Sequence, residues 1–271
     1  MKIGLCLGGG GARGFAHIGV LQALAERDLE PSAIAGASMG GLVGALLASG
    51  RSPEQMREHF LSIEPLRILD FMRKDGLFGH KAVDRELQRH LPADFTDLSV
   101  PLAVTAVDVQ TGKLIILREG PLVPALRATT ALPGIFSPVH HVGRVLVDGG
   151  LLNNLPVDVI ETLTLDPVVA VDVGSPPDRK LIFEDHRSFL AKLREPTPPG
   201  QRPLTVELLM KAYDIPTSLI TDLRLVVHRP AVLIRPPLDP DMKVEDYERL
   251  DEAIAIGHAA AVEALDRVWP A

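Results

Sequence analysis

The stretch Ala33-Ile34-Ala35-Gly36-Ala37-Ser38-Met39-Gly40-Gly41-Leu42-Val43-Gly44-Ala45 decides the reading of this chain. Ala33–Ala35 is a short apolar run, as expected of a buried strand, and Gly41–Ala48 has the composition of a buried helix. Between them Gly36-Ala37-Ser38-Met39-Gly40 fits the pattern G-x-S-x-G. A serine on a sharp strand-to-helix turn, flanked by small residues, exposes its hydroxyl to an incoming carbonyl. The helix that follows also sets backbone N–H groups and a positive dipole end beside it. Ser38 is therefore a candidate nucleophile, although a Ser-Gly turn opening a tightly packed helix would look the same. Pro31–Gly50 lacks any charge and approaches the length of a membrane span, but its glycines and serines break the apolar run in the middle.

Working outward, short apolar strands alternate with helical patterns. Ile3–Leu7 precedes a helix patterned on Phe15, Ile18, Leu21 and Leu24. Pro101–Val109 and Lys113–Leu117 read as strands joined by a Gln110-Thr111-Gly112 turn, and Val139–Val142 and Arg144–Val147 as a hairpin closed by Gly143. Helices are expected over Val123–Thr130 and Pro156–Leu163, with a buried strand at Val168–Val173. This alternation implies an α/β fold with a largely parallel sheet covered on both faces. Pro176–Pro203, rich in Pro and charged residues, reads as a linker or mobile flap, with Phe183, Phe189 and Leu190 as lid, lipid or core residues. Residues 204–271 then supply a helix from about Thr205, a strand at Ala231–Arg235 and a terminal helix from about Val244, packed on the same domain.

Gly8-Gly9-Gly10-Gly11-Ala12-Arg13-Gly14 joins the first strand to the first helix. It contains G-x-G-x-x-G, but the next strand runs directly into the Ser38 turn, with no acidic residue for a ribose. No Gly-Lys-Ser/Thr follows, so a nucleotide-phosphate loop is excluded as well. What remains is a run of unhindered amides at a helix N-terminus, suited to an oxyanion. Strands one and two of a parallel sheet are commonly neighbours, which would bring this loop beside Ser38. Arg13 either adds positive charge there or holds the loop.

A serine nucleophile needs a base. None of the nine histidines has an evident catalytic setting, and His17, on the first helix, reads as a packing or hydrogen-bonding residue. Ser38 also comes too early for the strand order of an α/β-hydrolase. Asp148-Gly149-Gly150 ends an apolar strand, and its carboxylate is the best candidate base. A carboxylate acting without histidine works best with its pKa raised towards neutrality by an apolar surround.

Together the glycine loop, the Ser38 pentapeptide and Asp148-Gly149-Gly150 resemble the patatin-like phospholipase family. Phe15–Leu21, Arg127–Phe136 and Asn153-Asn154-Leu155-Pro156 look like its bacterial members, and the resemblance covers about residues 1–175. It implies a three-layer α/β/α sandwich with a mostly parallel central sheet. It also implies a Ser38–Asp148 dyad without histidine, and an oxyanion hole from Gly9, Gly10, Gly11 and Arg13. Gly14, Gly36, Gly40, Gly149 and Gly150 would support the motifs. The implied substrates are fatty acyl esters of lipids, with possible transient membrane-surface contact, and no metal or organic cofactor is implied.

Composition sets outer bounds. A 271-residue chain with net charge −7 lacks the basic face of a nucleic-acid binder. The single cysteine, Cys6, sits in an apolar run as a buried strand residue, and excludes an internal disulfide and a cysteine-rich zinc site. The few apolar residues before the glycine run are too short for a secretory core, so a cytoplasmic location is expected. Two other functions stay in view. One is acyl transfer, against which Ala37 counts, because related acyltransferases usually carry histidine beside the serine. The other is a lipid-binding or regulatory module with little or no turnover.

Overall fold

The computed structural model describes residues 1–62, 85, 87–175, 204–242 and 246–270. The expected flap, with Phe183, Phe189 and Leu190, lies outside the described residues. Strands β1 (Lys2–Leu7), β2 (Glu30–Gly36), β3 (Leu102–Asp108), β4 (Lys113–Leu117), β5 (Val139–His141), β6 (Arg144–Asp148), β7 (Val168–Val171) and β8 (Val232–Ile234) form one sheet. Its order is β5-β6-β3-β2-β1-β7-β8, with β4 on the other side of β3. Strands β3, β2, β1, β7 and β8 are parallel, and β4, β5 and β6 are antiparallel additions.

Strand side chains alternate between two cores, as the two-residue period of a strand requires. Leu5, Leu7, Ile34, Val104, Val169 and Val171 enter the larger core. It is covered by α1 (Ala16–Ala25), α2 (Met39–Ala48), α4 (Leu122–Thr129) and α8 (Leu250–Val268). The other face carries Cys6, Ala33, Ala35, Ala103 and Ala170, small residues that let α6 (Val157–Ile160) lie close. Leu225 of α7 (Leu204–Val227) packs against the same side. Helix, sheet and helix layers make the α/β/α sandwich.

Several boundaries differ from the sequence reading. The helix after Ser38 starts at Met39 rather than Gly41, because the serine itself makes the turn. The expected helix Pro156–Leu163 is only α6, and another short helix, α5 (Gly150–Asn153), follows directly from Asp148. α3 (Pro53–Ser62) is not among the helices expected from the sequence; its residues are mostly polar, and the i, i+4 pair Met56 and Phe60 packs it on the core. The terminal helix begins at Leu250, behind a 3-10 turn at Tyr247–Arg249. It lies against α1, where a Cβ on Gly257 would stand 2.1 Å from the Ala16 carbonyl oxygen.

Register places the site. β1 and β2 pair in parallel, with Leu7 opposite Gly36, so the glycine loop and the Ser38 turn leave the sheet side by side. β3 pairs with β2 through Gly36↔Val104 and with β6 through Ala106↔Asp148. β4 occupies the other side of β3 at Val104 and Ala106, so β2 and β6 share one side of β3. They run in opposite directions, and their carboxyl ends meet head-on across Thr105.

Candidate active site

Ser38 adopts φ 50°, ψ −124°, a region that L-residues rarely occupy. Such backbone strain costs about 1–3 kcal/mol and persists only where neighbours over-determine it. Here the Ser38 N–H donates to Thr129 Oγ1 at 2.9 Å, and the Ala37 N–H to the Leu7 carbonyl at 3.1 Å. Helix α2 closes behind the turn as Gly41 and Leu42 donate to the carbonyls of Ala37 and Ser38. Gly40 must pass against β1, because a Cβ there would stand 2.2 Å from the Leu7 carbonyl oxygen. Gly36 lies against Gly40 in the same way, and Gly14 against Met39.

The glycine loop flanks this serine. A Cβ on Gly9 would lie 3.0 Å from Ser38 Cβ and 2.5 Å from Asn154 Oδ1. The loop is held from several sides. Gly9 and Asn154 exchange hydrogen bonds, the Gly9 N–H donating to the Asn154 carbonyl at 3.1 Å and Asn154 Nδ2 to the Gly9 carbonyl at 3.0 Å. His17 is fully buried, with Nε2 2.8 Å from the Gly8 carbonyl. Burial lowers its pKa to about 4, so it is neutral and donates through Nε2. Arg13 turns its guanidinium onto the carbonyls of Val173, Gly174 and Asp239. Its backbone N–H donates to the Gly10 carbonyl. The guanidinium contacts tie the loop to the segments after β7 and β8. The amides of Gly10 and Gly11, ahead of the 3-10 turn Gly11–Phe15, make no hydrogen bond among the described residues.

Asp148 is buried at the end of β6, its N–H donating to the Ala131 carbonyl at 3.0 Å. Its Oδ1 accepts the Gly150 N–H at 2.7 Å and the Tyr213 hydroxyl at 3.3 Å. Burial raises its pKa from 3.8 to about 6, against the opposing pull of the Ser38 hydroxyl nearby and of the hydrogen bonds from Gly150 and Tyr213. Gly149 presses on Thr105, where β2 and β6 meet. Ser38, Asp148 and the glycine loop thus converge on one edge of the sheet. His140 and His141 sit at the far end of the β5–β6 hairpin, opposite Val145 and Arg144. Among the described residues, no hydrogen bond joins a histidine to Ser38 or Asp148.

Three site residues escape sequence reasoning as to role. Thr129 and Asn154 lie in segments that carry the resemblance, yet nothing local marks their hydrogen bonds. Tyr213 follows Asp148 by 65 residues and sits in an otherwise apolar helical pattern. No sequence signal identifies it.

Ser38 thus stands on a strained strand-to-helix turn at the carboxyl edge of an α/β sheet. The model of the patatin-like phospholipase family matches residues 5–160, and the chain belongs to that family. It is 38% identical over 177 residues to an uncharacterized NTE family protein of Mycobacterium tuberculosis, covering 64% of this chain and 49% of the relative. A patatin-like phospholipase domain-containing protein of Caenorhabditis elegans is 32% identical over 274 residues, covering 94% of this chain and 20% of the relative. The chain thus spans half or less of the length of these relatives. Among solved structures, VipD from Legionella pneumophila superposes with a TM-score of 0.51 at 16% identity, over 98% of this chain and 67% of that one, a likeness of fold alone. No helix among the described residues is long and apolar enough to cross a membrane.

Proposed function

We propose that the chain is a serine acyl-ester hydrolase of the phospholipase or lysophospholipase type, with Ser38 as nucleophile and Asp148 as general base. Asp148 accepts the hydroxyl proton as Ser38 Oγ bonds to the ester carbonyl carbon. The carbonyl electron pair moves to oxygen, which in this reading the amides of Gly10 and Gly11, unbonded among the described residues, stabilise. Collapse expels the alcohol, which takes the proton from Asp148 and leaves the acyl group on Ser38. Water then gives a proton to Asp148 and attacks the acyl carbon. The fatty acid departs and Ser38 regains its proton.

The observation that carries this reading is the convergence of Ser38, on its strained turn, with the buried Asp148 carboxyl where β2 and β6 meet, a carboxyl that burial raises to a pKa of about 6. Hydrolysis of short nitrophenyl esters, with fluorophosphonate labelling, tests it. Ser38→Ala should lose both, and Asp148→Asn should lose turnover, each remaining folded. Wild-type rates in either folded variant would sink the dyad. Absence of labelling in the folded wild-type protein would favour the binding-module reading.

The substrate class in this reading is a lipid or fatty acyl ester, with transient contact at a membrane surface. Supporting that contact, Leu209, Ile215, Leu219, Leu223, Val226 and Val227 of α7 are all exposed. Of these, Ile215, Leu219, Leu223 and Val226 face away from the side that carries Tyr213 and the buried Thr217 and Thr221.

A further inference from the structure

Helix α7 lies beyond the three motifs, yet it reaches the candidate base. Tyr213 projects from it to Asp148 Oδ1, which also accepts the Gly150 N–H. Gly150 makes room for this, since a Cβ there would stand 2.3 Å from the Tyr213 hydroxyl oxygen. α7 is anchored on both sides of its course. Arg224 Nη1 meets Asp158 Oδ2 at 3.0 Å, and His228 Nδ1 meets Glu161 Oε2 at 2.7 Å. Arg235 of the following segment bridges Asp222 on α7 and Asp172 beyond β7.

We propose that Tyr213 is a positioning residue for the dyad. With the Gly150 N–H, its hydroxyl occupies Oδ1 of Asp148 and leaves Oδ2 as the atom that takes the Ser38 proton. The inference rests on Asp148 being the base. A carboxylate has two equivalent oxygens, and two donors on one of them fix which is free and how the group is rotated. The same hydrogen bond favours the ionised form that a base requires. Burial and the neighbouring Asp148 hold the Tyr213 hydroxyl well above the ordinary tyrosine range, so it stays protonated and donates. Tyr213 therefore acts through Asp148 rather than on substrate.

The test is the pH profile of kcat/KM for a nitrophenyl butyrate substrate in Tyr213→Phe, which keeps the ring and removes the donor. Loss of one hydrogen bond to a charged group moves the carboxylate titration up by about one pH unit. The acid limb should therefore move from near pH 6 to about pH 7. Activity would fall about five-fold at pH 6 and stay within about two-fold of wild type at pH 8.5. Tyr213→Leu, a second variant, should shift the limb in the same direction. A limb that does not move in a folded variant, or a rate lowered equally at every pH, overturns the proposal and leaves the dyad standing. Full activity in Asp148→Asn would instead refute the dyad and this inference with it.

Discussion

Replacing Asp148 by Asn should stabilise the protein at neutral pH while it abolishes turnover. The Asp148 carboxyl rises from 3.8 to about 6 on folding, chiefly through burial. A raised carboxylate pKa means that the folded state binds more protons than the unfolded chain between those two values. Stability therefore falls as pH climbs from about 4 to about 6, and stays lowered above it. Two pH units at 1.36 kcal/mol each amount to about 3 kcal/mol. Asparagine removes the charge, retains an oxygen for Gly150 and Tyr213, and offers Nδ2 to Ser38 Oγ. The advantage of Asp148→Asn over wild type should thus grow by about 3 kcal/mol between pH 4 and pH 7. With about 2.1 cal/mol/K of unfolding entropy per residue, that is about 5 °C in Tm for a chain of 271 residues. Urea unfolding at pH 4, 5.5 and 7 with a constant m-value measures it. A variant whose advantage does not grow with pH, or that loses stability at pH 7, refutes the claim that Asp148 is held ionised at a cost.

Ser38→Gly should remove activity and raise stability by about 1 kcal/mol, part of the strain at φ 50°. Unfolding of this variant beside Ser38→Ala separates strain relief from loss of the hydroxyl, and equal stabilities would argue against strain. The double variant Leu219→Lys/Leu223→Lys places charge on the outer face of α7. It should reduce sedimentation with phosphatidylcholine vesicles about ten-fold or more, while hydrolysis of a soluble nitrophenyl ester stays near wild type. Unchanged sedimentation would separate α7 from the lipid surface.

Much of this architecture is visible in local sequence because it rests on local chemistry. The run Ile3–Leu7 and the motif around Ser38 become strands and turns through short-range sterics and burial, and the structure has them within a few residues of their expected limits. The turn after β1 is glycine for room, as expected, but its donors are sorted by contacts the sequence does not display. The Gly9 amide is taken by the Asn154 carbonyl, and Arg13 by the carbonyls of Val173, Gly174 and Asp239. Among the described residues the amides of Gly10 and Gly11 are left without a partner.

From the sequence alone came the resemblance to the family, the α/β class and the candidate pair Ser38 and Asp148, because a glycine-flanked serine and a strand-ending Asp-Gly-Gly are patterns written in adjacent residues. Tertiary structure decided how they meet. β2 and β6 approach head-on along one side of β3, a long-range hydrogen-bond register that no local pattern encodes. Burial at that junction lifts Asp148 to about 6. Tyr213 reaches it only because a helix from beyond the motif region docks there, and the energy of docking resides in packing and ion pairs between distant segments.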